Sequence, residues 1–215
     1  YMNAKVYIGE DHFADAEQYA QDIVDGKYGT YAVADRWDAA FDWDNENCDE
    51  VIFAFPSSGE THWHYKGDMY WWSVPSKAND WLHDTKSREG SHNIKYSASP
   101  SYNPKGEKYN YELGMPIAQF KKYPSDVRLK MYKNLGNGRR EGMFIYGKIQ
   151  YTDDNGNTQY LKDHHDQYTL DLRDAVGKFG GTDGSKWLDK AASRLEDGDD
   201  NSGWMFAKYP LYSDN

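Results

Sequence analysis

The sequence predicts a mainly α fold with small β elements, an α+β arrangement in which a helical hairpin is followed by long loops and a β-hairpin. Three observations predict it. Apolar residues recur at spacings of three and four across Tyr1–Asp25, the period of a helix that buries one face. Asn155-Gly156 stands between two alternating segments, the strongest short-range hairpin signal. From His83 to Asn110 the chain is polar, rich in Ser, Gly, Asn and Tyr, interrupted by Pro100 and Pro104, and without period. A loop of that length inside a globular chain usually serves a function.

Within the first segment, Ala4, Tyr7 and Ile8 form one stripe, and Phe13, Ala16, Tyr19, Ala20, Ile23 and Val24 another. Gly9–Asp11 separates them, and Gly26 closes the second helix as a C′ glycine. Tyr7, small Gly9, Phe13, Ala16 and Ala20 follow the pattern of one tetratricopeptide unit. A lone unit cannot bury both its faces, so partner helices are expected elsewhere, and without them Tyr7, Ile8, Tyr19 and Ile23 would form an exposed patch. Arg36–Asp49 is acidic and aromatic; its Asp42–Glu46 oxygens stop short of a calcium loop, because Asn47 stands where Gly is needed and Phe53 where Glu is needed. Glu50–Phe55, EVIFAF, reads as a short buried strand.

The stretch His62–Trp81, HWHYKGDMYWWSVPSKANDW, holds Trp63, Trp71, Trp72 and Trp81, half of the chain's 8 tryptophans, with Tyr65 and Tyr70 and hardly any aliphatic filler except Val74. Close packing needs branched fillers among rings, and here the rings alternate with polar residues instead. Flat apolar faces with hydrogen-bonding edges suit sugars, whose C–H faces stack while their hydroxyls need polar partners. Trp63, Tyr65, Tyr70, Trp71, Trp72 and Trp81 are the candidate ligand-binding residues. Each tryptophan read singly fits a core plug as well, since Trp is highly buried on average.

Farther on, Met115, Ile117 and Phe120 resume apolar spacing, Asp126 and Arg128 form a local ion pair or cap, and Met143–Tyr151 and Thr158–Leu161 flank the Asn155-Gly156 turn. Glu196–Gly203 reads as a solvated acidic turn, with weak calcium binding as the alternative, and Trp204–Tyr212 as a last strand that Pro210 confines to an edge or an end. Tyr96, Tyr102, Tyr109 and Tyr111 either line a site or pin the long loop.

At 215 residues the chain can bury roughly 70% of its unfolded surface. Aromatics make up 16% of it, with 19 Tyr, so a core built from rings more than from Leu and Ile is expected. The formal net charge of −10 argues against nucleic acid and anionic membrane surfaces, which need a basic footprint. Cys48 is the single cysteine and permits no internal disulfide; no run reaches the ~18 apolar residues of a membrane helix. The chain begins at Tyr1, with no leader segment, and reads as trimmed at that end.

Several landmarks resemble the SusD/RagB family of outer-membrane nutrient-binding lipoproteins of Bacteroidetes. They are Ala4–Tyr31 with its Gly-Lys-Tyr turn, Cys48–Ala54, Pro116–Arg128 with its Asp-x-Arg segment, and the Lys-Tyr-Pro strand at Lys208–Tyr212, in the family's order. The lipobox cysteine, early helices and C-terminal helix of that family are missing, so residues 1–215 resemble a partial domain, with a tetratricopeptide-like helix pair over 1–31 and a loop-rich ligand-binding region over 50–215. The resemblance implies a surface lipoprotein that holds an oligosaccharide or polysaccharide for a SusC-like TonB-dependent transporter. Its lipid anchor to the outer membrane would lie outside this chain. It implies no catalytic residue, no cofactor and no metal.

Two other chemistries compete. A glycoside hydrolase needs two carboxylates about 5–5.5 Å apart if retaining and about 6.5–9.5 Å if inverting. Among 35 Asp and Glu a pair such as Glu60 and Asp68 can always be nominated, so abundance carries no weight. A zinc site needs three or four ligands, and His62 with His64, or His164 with His165, supplies two. A binding protein for a peptide, or a Tyr- and Trp-rich protein interface, also fits the ring-rich surface.

Overall fold

Helix α1, Phe13–Val24, ends in a Schellman turn, and the chemistry of that turn is written in Asp22-Ile23-Val24-Asp25-Gly26-Lys27. The Gly26 N–H donates to the Ile23 carbonyl at 3.0 Å and the Lys27 N–H to the Asp22 carbonyl at 2.9 Å. Gly26 takes φ +73°, a left-handed conformation that glycine adopts without a Cβ penalty. The Asp22 carboxylate lies near the negative end of the helix dipole, an unfavourable place for an anion. It is offset by donors from Lys27 Nζ at 2.7 Å, Gln18 Nε2 at 3.0 Å and Tyr28 OH at 3.1 Å, which hold its pKa below the usual carboxylate range, Lys27 foremost.

The computed structural model describes residues 8–42, 45–54, 73–75, 77–78, 81, 97–103, 106–108, 115–136, 138–163, 166–176, 179–180, 186–187 and 200–209. The chain divides into two compact units, Tyr1–Tyr65 and Lys66–Asn215.

In the first unit, α1 buries Ala16 and half-buries Tyr19 and Ile23, while Phe13, Ala20 and Val24 of the expected stripe are exposed. Gly26 closes the helix as the sequence predicts; the first helix of the expected hairpin falls mainly on residues outside those described, including Ala4 and Tyr7. After the helix, the Ala32 N–H donates to the Asp49 carbonyl and the Ala34 N–H to the Glu50 carboxylate. Buried Asp38 faces Arg36 at 3.5 Å. The expected buried strand Glu50–Phe55 is not formed over its described residues, 50–54. The Val51 N–H closes a turn on the Cys48 carbonyl, and Ile52 and Phe53 stand exposed at 37% and 51%. A short apolar run carries no information about whether a partner strand exists to satisfy its backbone.

The second unit is built from short antiparallel pairs. Strands β1 (Lys133–Gly136) and β2 (Arg139–Glu141) pair with a bulge between Asn134 and Gly136. Strand β3 (Phe144–Ile145) pairs across the chain with β8 (Met205–Phe206). Strands β4 (Gln150–Thr152) and β5 (Thr158–Tyr160) form the predicted hairpin around Asn155-Gly156. Strands β6 (Phe179–Gly180) and β7 (Lys186–Trp187) make a fourth pair. Helix α2, Pro116–Phe120, starts on a proline at its first turn and buries Ile117 completely. Asp126 caps the 3₁₀ turn Val127–Leu129 and receives the Arg128 guanidinium at 2.5 Å, as predicted for that pair.

Three expectations are overturned here. The fold is not mainly α or tetratricopeptide-like: α1 and α2 are the two helices delimited among the described residues, against four two-stranded antiparallel sheets. Among the described residues the main core cluster is also mostly aliphatic rather than built from rings. It joins Val74, Ala78, Ile145, Ile149, Leu161, Leu170, Leu172, Met205 and Ala207 with the buried Tyr132, while a second buried ring, Phe144, lies outside it. Branched and flexible aliphatic side chains fill space to crystal-like density, so the few available move inside; rings with polar edges settle at the margin. The last residues of the acidic turn are likewise not solvated: Asn201 is fully buried, and its side-chain oxygen accepts from the Asp171 N–H at 2.7 Å.

Candidate functional site

Gly142 sets the geometry of the second unit's open cleft. It takes φ +70°, and a Cβ there would lie 2.1 Å from the Lys130 carbonyl oxygen. Only a glycine lets the end of β2 cross the 130–131 backbone this closely, with the Met143 N–H donating to the Arg128 carbonyl at 2.9 Å. The crossing brings Lys130, Met131, Tyr132 and Lys133 beside Glu141, which is the register partner of Lys133. On the other side runs the segment Lys148-Ile149-Gln150 entering β4. Its alternation turns Ile149 into the core and leaves Lys148 and Gln150 exposed.

These residues and Trp81 line a wide-mouthed cleft of about 450 Å³. Trp81 is half-buried, packed on the aliphatic core, and meets the buried Tyr132 ring edge to face at 5.7 Å between centroids and 77° between planes. Such a contact contributes about 0.5–1.5 kcal/mol beyond burial and fixes the ring's orientation. Lys130 Nζ donates to its neighbour Glu141 Oε1 at 2.6 Å. That hydrogen bond, with the charges of Lys130 and Lys133, holds the Glu141 pKa below the usual glutamate range. The cleft therefore combines one oriented ring, a carboxamide, lysine ammonium groups and a carboxylate that stays ionised at neutral pH.

No family model, curated protein or solved structure matches this chain. What its site can do has to be read from its own residues.

Of the six predicted ligand-binding residues, Trp81 lines the cleft. Trp63, Tyr65, Tyr70, Trp71 and Trp72 lie outside the described residues, as do the acid pair Glu60 and Asp68 and the histidines His62, His64, His164 and His165. Among the described residues no group of three or more His, Cys, Asp or Glu could hold a metal ion, and no helix is long and apolar enough to cross a membrane. Tyr102 pins the long loop by its backbone: its carbonyl accepts from the Val176 N–H at 2.8 Å. Sequence reasoning missed Lys130, Tyr132, Lys133, Glu141, Lys148 and Gln150. The alternation Lys148-Ile149-Gln150 before the hairpin was a usable signal; nothing in the sequence joins it to Trp81.

A second ring cluster was also missed. Phe144 contacts Phe120 at 5.1 Å and Trp204 at 5.6 Å, Tyr146 stacks on Trp204 at 4.3 Å, and the cations of Arg128 and Lys121 sit over Phe120 and Trp204 at 4.8 and 4.7 Å. Lys121 also reaches the buried Asp174 carboxylate at 3.0 Å. The cluster is internally satisfied, and it ties α2 to the β3–β8 pair.

Proposed function

We propose that this protein binds a saccharide without chemically altering it, in the cleft floored by Trp81 and Tyr132. The observation that carries the reading is the Trp81 ring, oriented by Tyr132 and bordered by lysines, Gln150 and Glu141: a stacking face within reach of hydrogen-bonding groups. One stacked ring and several hydroxyl contacts give micromolar to millimolar affinity once ordering costs are subtracted. Among the described lining residues Glu141 is the one carboxylate, and its depressed pKa is the reverse of what a general acid needs for glycosidic cleavage. By sequence resemblance to the SusD/RagB family, the setting proposed is the bacterial outer-membrane surface, with delivery to a SusC-like TonB-dependent transporter. That setting rests on the ordered sequence landmarks alone.

Affinity electrophoresis against a panel of polysaccharides tests the reading, with Trp81→Ala, Trp71→Ala and Trp72→Ala run beside the unaltered chain. Retardation by at least one glycan, weakened in Trp81→Ala, with the polymer uncleaved afterwards, is the expected result. Shortened polymer would point to an enzyme instead. Retardation that Trp81→Ala leaves intact would place the site elsewhere.

A further inference from the structure

The cleft's charge runs against that of the molecule. The chain carries a formal net charge of −10, yet among the described lining residues three lysines, Lys130, Lys133 and Lys148, stand against one acid, Glu141. Their placement follows from the fold. Lys133 opens β1 opposite Glu141, Lys130 is brought there by the Gly142 crossing, and Lys148 is the outward residue before Ile149. Glu141 is committed to Lys130 at 2.6 Å. Among the described residues Lys133 and Lys148 make no ion pair within 4 Å; both are exposed and line the same cleft as Trp81, and Lys133 also acts on Glu141 through its charge.

A concave surface with an excess of one sign of charge raises the local concentration of the opposite charge. A lysine ammonium is a compact, rotatable charge that accepts a carboxylate or a sulfate without demanding a fixed geometry. Resting on the saccharide reading, we infer that the cleft selects anionic glycans, with a sugar face stacked on Trp81 and its carboxylate or sulfate group between Lys133 and Lys148. Lys130 holds Glu141 out of the anion's way.

Calorimetric titration of the full chain decides this, using polygalacturonate oligomers as the carboxylate probe, chondroitin sulfate oligomers as the sulfate probe, neutral glucan and mannan oligomers, and inorganic polyphosphate. One anionic glycan is expected to bind at least about tenfold more tightly than any neutral one. Its affinity should drop about two- to fivefold for each of Lys133→Ala and Lys148→Ala, as for exposed ion pairs, and fall further between about 0.05 and 0.5 M salt. Trp81→Ala should cost about tenfold, and Trp81→Phe, which keeps a ring on the core, less. Both lysines are solvent-exposed, so their loss leaves the fold intact by circular dichroism. A neutral glycan bound as tightly, or anionic binding indifferent to both lysines, overturns the charge inference and leaves the saccharide reading standing. Polyphosphate bound as well as the glycans and indifferent to Trp81 overturns both, as does silence with every probe.

Discussion

Gly142 shows how a single residue governs the cleft. A methyl group at that position meets the Lys130 carbonyl at 2.1 Å and must also accept φ +70°. The crossing is tied on either side by the Met143 N–H to the Arg128 carbonyl at 2.9 Å and the Tyr132 N–H to the Phe144 carbonyl at 2.8 Å, so it does not yield freely. Gly142→Ala is expected to lower unfolding stability by about 2–3 kcal/mol, seen as a lower urea midpoint at unchanged slope. Ile145→Ala, at a fully buried position between β3 and the rest of the core, should cost about 2–5 kcal/mol by the same measurement. Residues whose partners lie within a few positions were legible in the sequence. Gly26 and the Asp126–Arg128 pair are such cases, because capping and short-range pairing are fixed by local geometry. The Trp81–Tyr132 contact spans some fifty positions and depends on how short strands cross, so its ring was visible as a candidate but its partner was not.

Among the elements, the β4–β5 hairpin was legible from Asn155-Gly156 between alternating segments, and in the fold one residue organises its turn. Asp153 accepts at Oδ1 from the Asn155 N–H at 3.0 Å and the Asn157 N–H at 2.8 Å, and at Oδ2 from Gln159 Nε2 at 3.0 Å. These bonds hold its pKa below the usual aspartate range, the Asn157 N–H foremost and Gln159 next. Asp153→Ala should speed hydrogen exchange at the Asn155 and Asn157 amides while leaving Leu161 protected; unchanged exchange at the turn would remove Asp153 from that role. EVIFAF misled because its described residues, 50–54, join no ladder among the described residues, and the mainly α reading misled because one helix with a Schellman end was extended to a helical stack. Helical spacing reveals an amphipathic face but not what covers it, and α1 leaves Phe13 and Val24 exposed at 62% and 79%.

At the scale of the whole molecule, acid removes stabilisation that is present at neutral pH. Asp22, Asp126, Glu141 and Asp153 all have pKa values depressed in the folded state, each chiefly by a hydrogen-bond donor. The unfolded chain therefore takes up protons at these sites before the folded one does as pH falls. Their stabilisation is present in full above the ordinary carboxylate range, about pH 4, and is lost as pH drops through that range and below. The urea midpoint should be flat near neutrality and decline below about pH 4.5; a midpoint constant down to about pH 3 would contradict the shifts. The acidic overall charge was legible and argued against nucleic acid, but the lysine-lined cleft was not. Charge summed over a sequence hides the patches that folding assembles from 130–133 and 148. The central claim is that Trp81 is the ring on which a sugar stacks. Its most direct test is ¹⁹F NMR of the chain labelled with 5-fluorotryptophan, with the Trp81 signal assigned by its loss in Trp81→Phe, during titration with the best-bound oligosaccharide. The account predicts that the Trp81 resonance shifts and saturates with the binding isotherm. A titration that moves other tryptophan resonances and leaves Trp81 in place would contradict it.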